Sequence, residues 1–287
     1  MRYVPQVTKE RRSRVCPGIG FLKGDIMKEN FRIVPSFPEF VTKWKTAQAL
    51  GGKAIIPAVF LTSEDDCLLQ EAISELTDTL IDTKAVRLGG TVPFLNLSIR
   101  RQRHFAEEFH RMYTTLKNHA GFCNDFKGIV AVDLSDWSCS GMDEDLDAVL
   151  SYLKDTQADR FYIFYASTAE PEKLANVLQL HFMLQSHQLK LDQTAQLLSF
   201  AVSKLRRDYS IELDGKAEAS LGKIIRSCMD ADDYRGVGSV TSMCRDMSYQ
   251  LQSEGSLIMD CAFLTTYKHS TPSSAKKPAK PVVGLIK

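Results

Sequence analysis

Three acids and a hydroxyl follow an apolar run in "AVFLTSEDDCLLQEAI", residues 58–73. The run has the character of a buried strand. The segment after the acids has that of a helix, with Leu68, Leu69, Ile73, Leu76 and Leu80 on one stripe. A strand-to-helix turn of this kind holds phosphate when glycines let backbone N–H groups converge, the helix end adds partial positive charge, and a lysine neutralises the anion. Here the turn is Ser63, Glu64, Asp65 and Asp66, and only the helix end survives. Ser63 is expected as the N-cap, with Asp66 as a partner of capping-box type. The acids satisfy the helix dipole themselves and repel a triphosphate. No G-x-x-x-x-G-K-[ST] loop occurs anywhere in the chain. "GGKA" at Gly51, "GKA" at Gly215 and "GKI" at Gly222 lack both the upstream glycine and the hydroxyl.

Asp133 ends the apolar strand "GIVAVDL", at the carboxyl edge where parallel sheets keep ligand and metal groups. A magnesium-dependent hydrolase needs a second carboxylate beside it, and residue 134 is leucine. Ser167 and Thr168 end the next strand, placed to meet Asp133 across the sheet edge, where hydroxyls more often cap a helix than sense phosphate. His104 and His110 lie six residues apart and do not share a helix face, while His181 and His187 flank a short strand. None of them has an acid partner in register for a triad or a metal set.

Positioning these residues requires alternating strands and helices. A helix at Phe37–Ala49 precedes the strand Ile55–Leu61. Further strands are expected within Ala85–Leu97, at Gly128–Leu134, at Arg160–Thr168 and near Phe182–Gln185, with helices at Arg100–Asn118, Asp143–Lys154 and Pro171–Leu178 between them. Strands apolar throughout and separated by helices imply a parallel sheet covered on both faces. After Leu191 the period changes to three helices with no strand between them, Asp192–Asp208, Asp214–Met229 and Ser239–Gln252, expected as a separate small helical domain. The Pro, Ser and Lys-rich "HSTPSSAKKPAKP" is a linker leading to the apolar "PVVGLIK". Pro17–Lys23 and Pro281–Lys287 both fit P-x-[IV]-G-[FL]-[LI]-K, the pattern expected if the chain spans one unit of a tandem array.

Composition sets the outer bounds. The 287 residues are 44% hydrophobic and 25% charged, with a net charge of +1, which argues against a nucleic-acid or anionic-membrane surface. No apolar run approaches a bilayer span, and the polar start has no signal-peptide character, so a cytoplasmic location is expected. The seven cysteines are scattered, without C-x-x-C spacing, and imply neither a disulfide framework nor a zinc site.

Taken together, this order of elements resembles an AAA+ ATPase, nearest to the branch of the red-type rubisco activase and the stage V sporulation ATPases. The segment Leu191–Leu251 is similar to that branch's lid, including "DYSIEL" leading into the second helix and "YRGVGSV" leading into the last. The resemblance implies an α/β class with a parallel-sheet P-loop-type core at 30–190 and a helical lid at 191–255. An N-terminal segment at 1–29 and a linker with its apolar motif at 256–287 flank them. It also implies a degenerate nucleotide site at Ser63, Glu64, Asp65, Asp66, Asp133, Thr168 and Gly238. "TSEDDC" stands where the family has its phosphate loop, and Asp133-Leu134 where it has Asp-Glu. Gly238 lies near the position of the lid arginine, and no arginine occurs between Arg160 and Arg206 for an arginine finger. Losing all of these removes the electrostatic contributions to phosphoryl transfer.

The expected function is that of a catalytically inactive pseudo-ATPase, a scaffold or regulator contacting AAA+ subunits or identical modules. No catalytic residue, metal or cofactor is expected. The alternatives are a subunit binding ATP and magnesium weakly, a receiver-like acid pocket of Asp65, Asp66, Asp133 and Thr168, and an α/β enzyme using Asp133 with Ser167 or Cys139.

Overall fold

The computed structural model describes residues 31–50, 57–85, 94–98, 129–135, 144–156, 161–167 and 171–267. The helix expected at Arg100–Asn118, His104, His110, Thr168 and both copies of the P-x-[IV]-G motif lie outside them. In chain order the elements are α1 (Phe37–Ala49), β1 (Pro57–Thr62), α2 (Asp66–Asp82), β2 (Phe94–Ser98), β3 (Ile129–Asp133), α3 (Glu144–Thr156), β4 (Phe161–Ala166), α4 (Pro171–Gln179), β5 (Met183–Gln188), α5 (Thr194–Tyr209), β6 (Glu212–Leu213), α6 (Ala217–Met229), α7 (Val237–Ser253), β7 (Ile258–Met259) and α8 (Cys261–Thr266).

β1 to β5 form one parallel sheet in the order β2-β3-β4-β1-β5. The period of two along each strand divides its side chains between two cores. Val59, Leu61, Ile129, Ala131, Phe161 and Ile163 face the side covered by α1 and α2. Ala58, Phe60, Val130, Val132, Tyr162 and Phe164 face α3 and α4, which contribute Leu146, Val149, Leu150, Leu153, Leu174 and Leu178. Strands buried on both faces must be apolar throughout, and β1 and β4 are fully buried along their length. The chain leaves β1 over one face and β4 over the other, so a crevice opens between their carboxyl ends.

Beyond Leu191 the chain builds a helical layer from α5, α6 and α7, as its period predicts. Its core is continuous with the α2 side of the sheet, where Leu197, Phe200, Leu205, Val240, Met243 and Met247 join Leu68, Leu69 and Leu76. Residues 31–267 accordingly fall within one compact unit, and the change of period at 191 marks a new layer on a shared core. Three short elements differ from the expectation. β6 pairs in parallel with β7, and α8 follows, so residues 256–267 fold back onto the helices where a linker was expected. Leu264 and Met259 supply the buried side chains that hold this segment down.

Candidate functional site

The carboxyl ends of β1 and β5 and the starts of α2, α4 and α7 surround a cavity of about 1000 Å³. Ser63, Glu64, Asp65, Asp66 and Cys67 line it from the β1–α2 turn, Glu172 and Lys173 from the start of α4, Lys190 from the end of β5, and Arg235 and Gly236 from the lead-in to α7. This is the sheet-edge crevice in which α/β proteins bind ligands, and the sequence-derived acids of the first turn do meet there.

The turn differs from the expectation in its cap. β1 runs on to Thr62, and the Ser63 N–H still donates to the Ala166 carbonyl of the neighbouring strand, so Ser63 belongs to the sheet and is buried. Its hydroxyl oxygen accepts from the Asp65 N–H at 3.1 Å. Asp65 is the N-cap, with extended backbone angles of φ −104° and ψ 104°. Its Oδ1 accepts from the N–H groups of Cys67 at 2.9 Å and Leu68 at 3.1 Å. An aspartate caps as well as a serine and brings a second oxygen.

That second oxygen is what the sequence did not reveal. Asp65 Oδ2 accepts from the N–H of Val237, the first residue of α7, at 2.7 Å. One carboxylate therefore takes three backbone donors from two helix starts, the arrangement that helix N-termini otherwise offer to a phosphate. Gly236, the N-cap of α7, has φ 59° and ψ −140°, a conformation open to glycine alone, and a Cβ there would overlap Asp65 Oδ2. At Gly238 a Cβ would lie 2.9 Å from Cys67 Sγ. A side chain at Gly238, near which the lid arginine is expected, would have to displace the Cys67 thiol. Arg235, three residues earlier, is the arginine that lines the cavity, and a reading of one motif position passed over it.

The thiol of Cys67 reports the local field. At the second position of a helix a thiol is normally acidified by the N-terminus. Burial and then the charges of Asp65, Asp66 and Glu71 push the Cys67 thiol up instead. Burial contributes most and the acids add to it, and three carboxylates gathered at the mouth of α2 disfavour a further anion. Lys190, the basic residue nearest in sequence to the end of β5, is held at 2.7 Å by Asp192.

Asp133 is not brought into this cavity. β4 lies between β3 and β1, a separation of about 10 Å. Its carboxylate is engaged in its own turn, where Oδ1 accepts from the Ser135 N–H at 3.0 Å and the Ser135 hydroxyl at 2.7 Å. Ser135 Oγ in turn accepts from the Ser167 N–H at 3.1 Å. Ser167 therefore meets the Asp133 turn across the sheet edge, as its position predicted, but through its backbone. The sheet order also differs from the 2-1-3-4-5 order of receiver-type folds. Asp65, Asp66 and Asp133 do not form a shared acid pocket.

Away from the crevice, His181 Nε2 lies 3.0 Å from Asp147 Oδ1, and burial lowers the pKa of His187 on β5. Among the described residues no group of three or more His, Cys, Asp or Glu side chains is placed to hold a metal ion. Cys67, Cys228, Cys244 and Cys261 are free thiols. No described helix is long and apolar enough to cross a membrane.

No protein-family model matches this sequence, and no curated protein matches it. Among solved structures the chain is similar to the Bacillus subtilis DNA clamp loader delta protein at 14% identity and a TM-score of 0.38, covering 78% of this chain and 61% of that one. It is also similar to two mutants of Thermotoga maritima RuvB at 12% and 13% identity, with TM-scores of 0.43 and 0.42, covering 79% of this chain and 68% and 67% of theirs. The chain thus spans about three fifths of the length of the clamp loader protein. Likeness at this level carries no residue roles across.

Proposed function

We propose that this chain is a catalytically inactive AAA+-like module, a pseudo-ATPase whose core and helical lid act as a scaffold or regulator through protein–protein contacts. The observation that carries this reading is the N-terminus of α2, whose capping amides are donated to Asp65 inside a turn that brings three carboxylates. Phosphoryl transfer needs positive charge and converging donors at that point, and this turn offers negative charge and donors already spent. The nearest branch is that of the red-type rubisco activase and the stage V sporulation ATPases, on the strength of the lid sequence Leu191–Leu251. The partners that suit such a module are active AAA+ subunits or further copies of itself, in a homo- or hetero-oligomer.

Isothermal titration with ATP and magnesium, repeated with a poorly hydrolysed analogue and paired with thermal-shift measurements, tests the reading. No heat and no shift in Tm are expected. Micromolar binding overturns the closed site and favours a second reading, a nucleotide-binding subunit. The observation on that side is Arg235 and Lys173 lining the cavity beside Leu68, Leu189 and Leu191, an apolar wall with cations at its rim.

A further inference from the structure

We infer that Asp65 is a built-in anion that fastens the helical layer to the sheet in place of a ligand, so that the chain itself fixes where α7 sits. The inference deepens the pseudo-ATPase reading and adds a mechanical claim to it. Val237 is the first residue of α7, and its N–H has no acceptor within its own helix. Asp65 Oδ2 supplies one at 2.7 Å, across 172 positions of sequence. The approach is built on both sides. Gly236 keeps its Cα against the carboxylate and Gly238 keeps its own against Cys67, while Ser63 holds the Asp65 N–H from below.

A second point of attachment lies two turns along the same helix. Glu71 Oε1 of α2 accepts from Lys204 Nζ of α5 at 2.7 Å, and Lys204 also reaches Asp208 Oδ2 at 2.8 Å. Arg207 closes the group with Asp208 at 2.7 Å and Glu71 at 3.5 Å. Lys204 is 7% exposed, so its ammonium depends on these two carboxylates for its hydrogen bonds. α2 is thus held at its start by α7 and at its second turn by α5, and two points define an orientation where one would leave a pivot. In a lid that responds to nucleotide, the fastening at the first point would come and go with the ligand. Here the anion is covalently part of the sheet side and does not leave.

Amide hydrogen exchange on the intact chain tests this, because protection at Val237 has no source in its own helix. In the wild-type protein the Val237 amide is expected to exchange slowly, and Asp65→Ala is expected to speed that amide by about tenfold or more. Exchange of amides in the middle of α7, such as Met243, should change far less. Sodium acetate, supplying a free carboxylate, should restore part of the Val237 protection in Asp65→Ala and have no such effect in Asp65→Asn, whose amide group fills the seat. If Asp65→Ala does not fold, the wild-type measurement decides alone, and a Val237 amide exchanging at the rate of an unprotected one overturns the fastening. The same experiment with ATP and magnesium separates the two claims. ATP binding with Val237 still protected overturns the closed-site function and leaves the fastening standing. Free exchange at Val237 without ATP binding overturns the fastening and leaves the closed site.

Discussion

Asp65 and Asp133 are both acids at the carboxyl edge of one parallel sheet, and they are used in opposite ways. Asp133 closes on itself, bonded to Ser135 two residues away, and reaches no further than a turn that Ser167 touches. Asp65 bonds outward, to the start of its own helix with one oxygen and to the start of α7 with the other. The same residue type at the same kind of place is local punctuation in one case and a joint between layers in the other. An acid at a sheet edge is therefore weaker evidence of a site once the fold uses its oxygens, and here Asp65 gives both oxygens and Asp133 its Oδ1 to groups of the chain itself.

Truncating both acids puts the contrast to its hardest test. Asp65→Ala removes a cap and a charged acceptor for three amides, at an expected cost of about 2 to 4 kcal/mol. Asp133→Ala, which frees only a turn, should cost about 1 kcal/mol. Chemical denaturation of the two variants under one set of conditions measures the difference. Equal losses would mean that the Asp65–Val237 bond adds nothing to the cap.

That contrast also marks how far the sequence could be followed. The strand at Ala58, the stripe of α2 and the helical period after Leu191 are legible because local spacing encodes them. The cap slipped by two residues because strand pairing to Ala166 extends β1, and pairing is not a local property. The bond from Asp65 to Val237 and the bridge from Glu71 to Lys204 join residues 172 and 133 positions apart, which no periodicity reports. One signal was present. Glycines at 236 and 238, either side of the first residue of a helix, mark a close approach of backbone to something, though not to what. The two-residue strands β6 and β7 are too short to leave a pattern at all.

Gly236→Ala tests the fit from the α7 side. The new methyl group would both require φ 59° of an alanine and press on Asp65, at an expected cost of about 2 kcal/mol. The loss should shrink in an Asp65→Ala background, since the obstacle is gone. A double-mutant cycle in denaturant reads this coupling, and strict additivity would show that the two residues act apart.

A smaller effect is expected from the second point of attachment, and it carries a sign. Burial alone would raise the pKa of Asp208, but its bonds to Arg207 and Lys204 prevail and hold it below the usual carboxylate range. A carboxyl lowered in the folded state stabilises fully above its unfolded pKa, and that contribution is lost as pH falls through the folded value. The melting temperature should therefore drop below about pH 4. Asp208→Asn should flatten that part of the curve while changing little of its shape at neutral pH, and an unchanged acid limb would remove Asp208 from the account.

The smallest expected effect concerns charge alone, in the turn that carries Asp65. Cys67 sits where a helix start should acidify a thiol, yet burial and the acids of its turn push it up. Neutralising one of those acids without changing its size should remove part of the upward push and leave the share due to burial. In Asp66→Asn the carboxylate that does not cap α2 is gone while Asp65 keeps its three amides, so the fold should persist and only the field should change. The thiolate fraction at neutral pH should rise, and with it the rate at which iodoacetamide labels the peptide containing Cys67, measured against Cys228 as an internal reference. Because the thiol lies at the mouth of α2, its rate serves as a reading of the potential an incoming phosphate would meet. A rate unmoved by Asp66→Asn would mean that burial, not charge, closes the cradle, and that a desolvated but neutral ligand is the one this crevice turns away least.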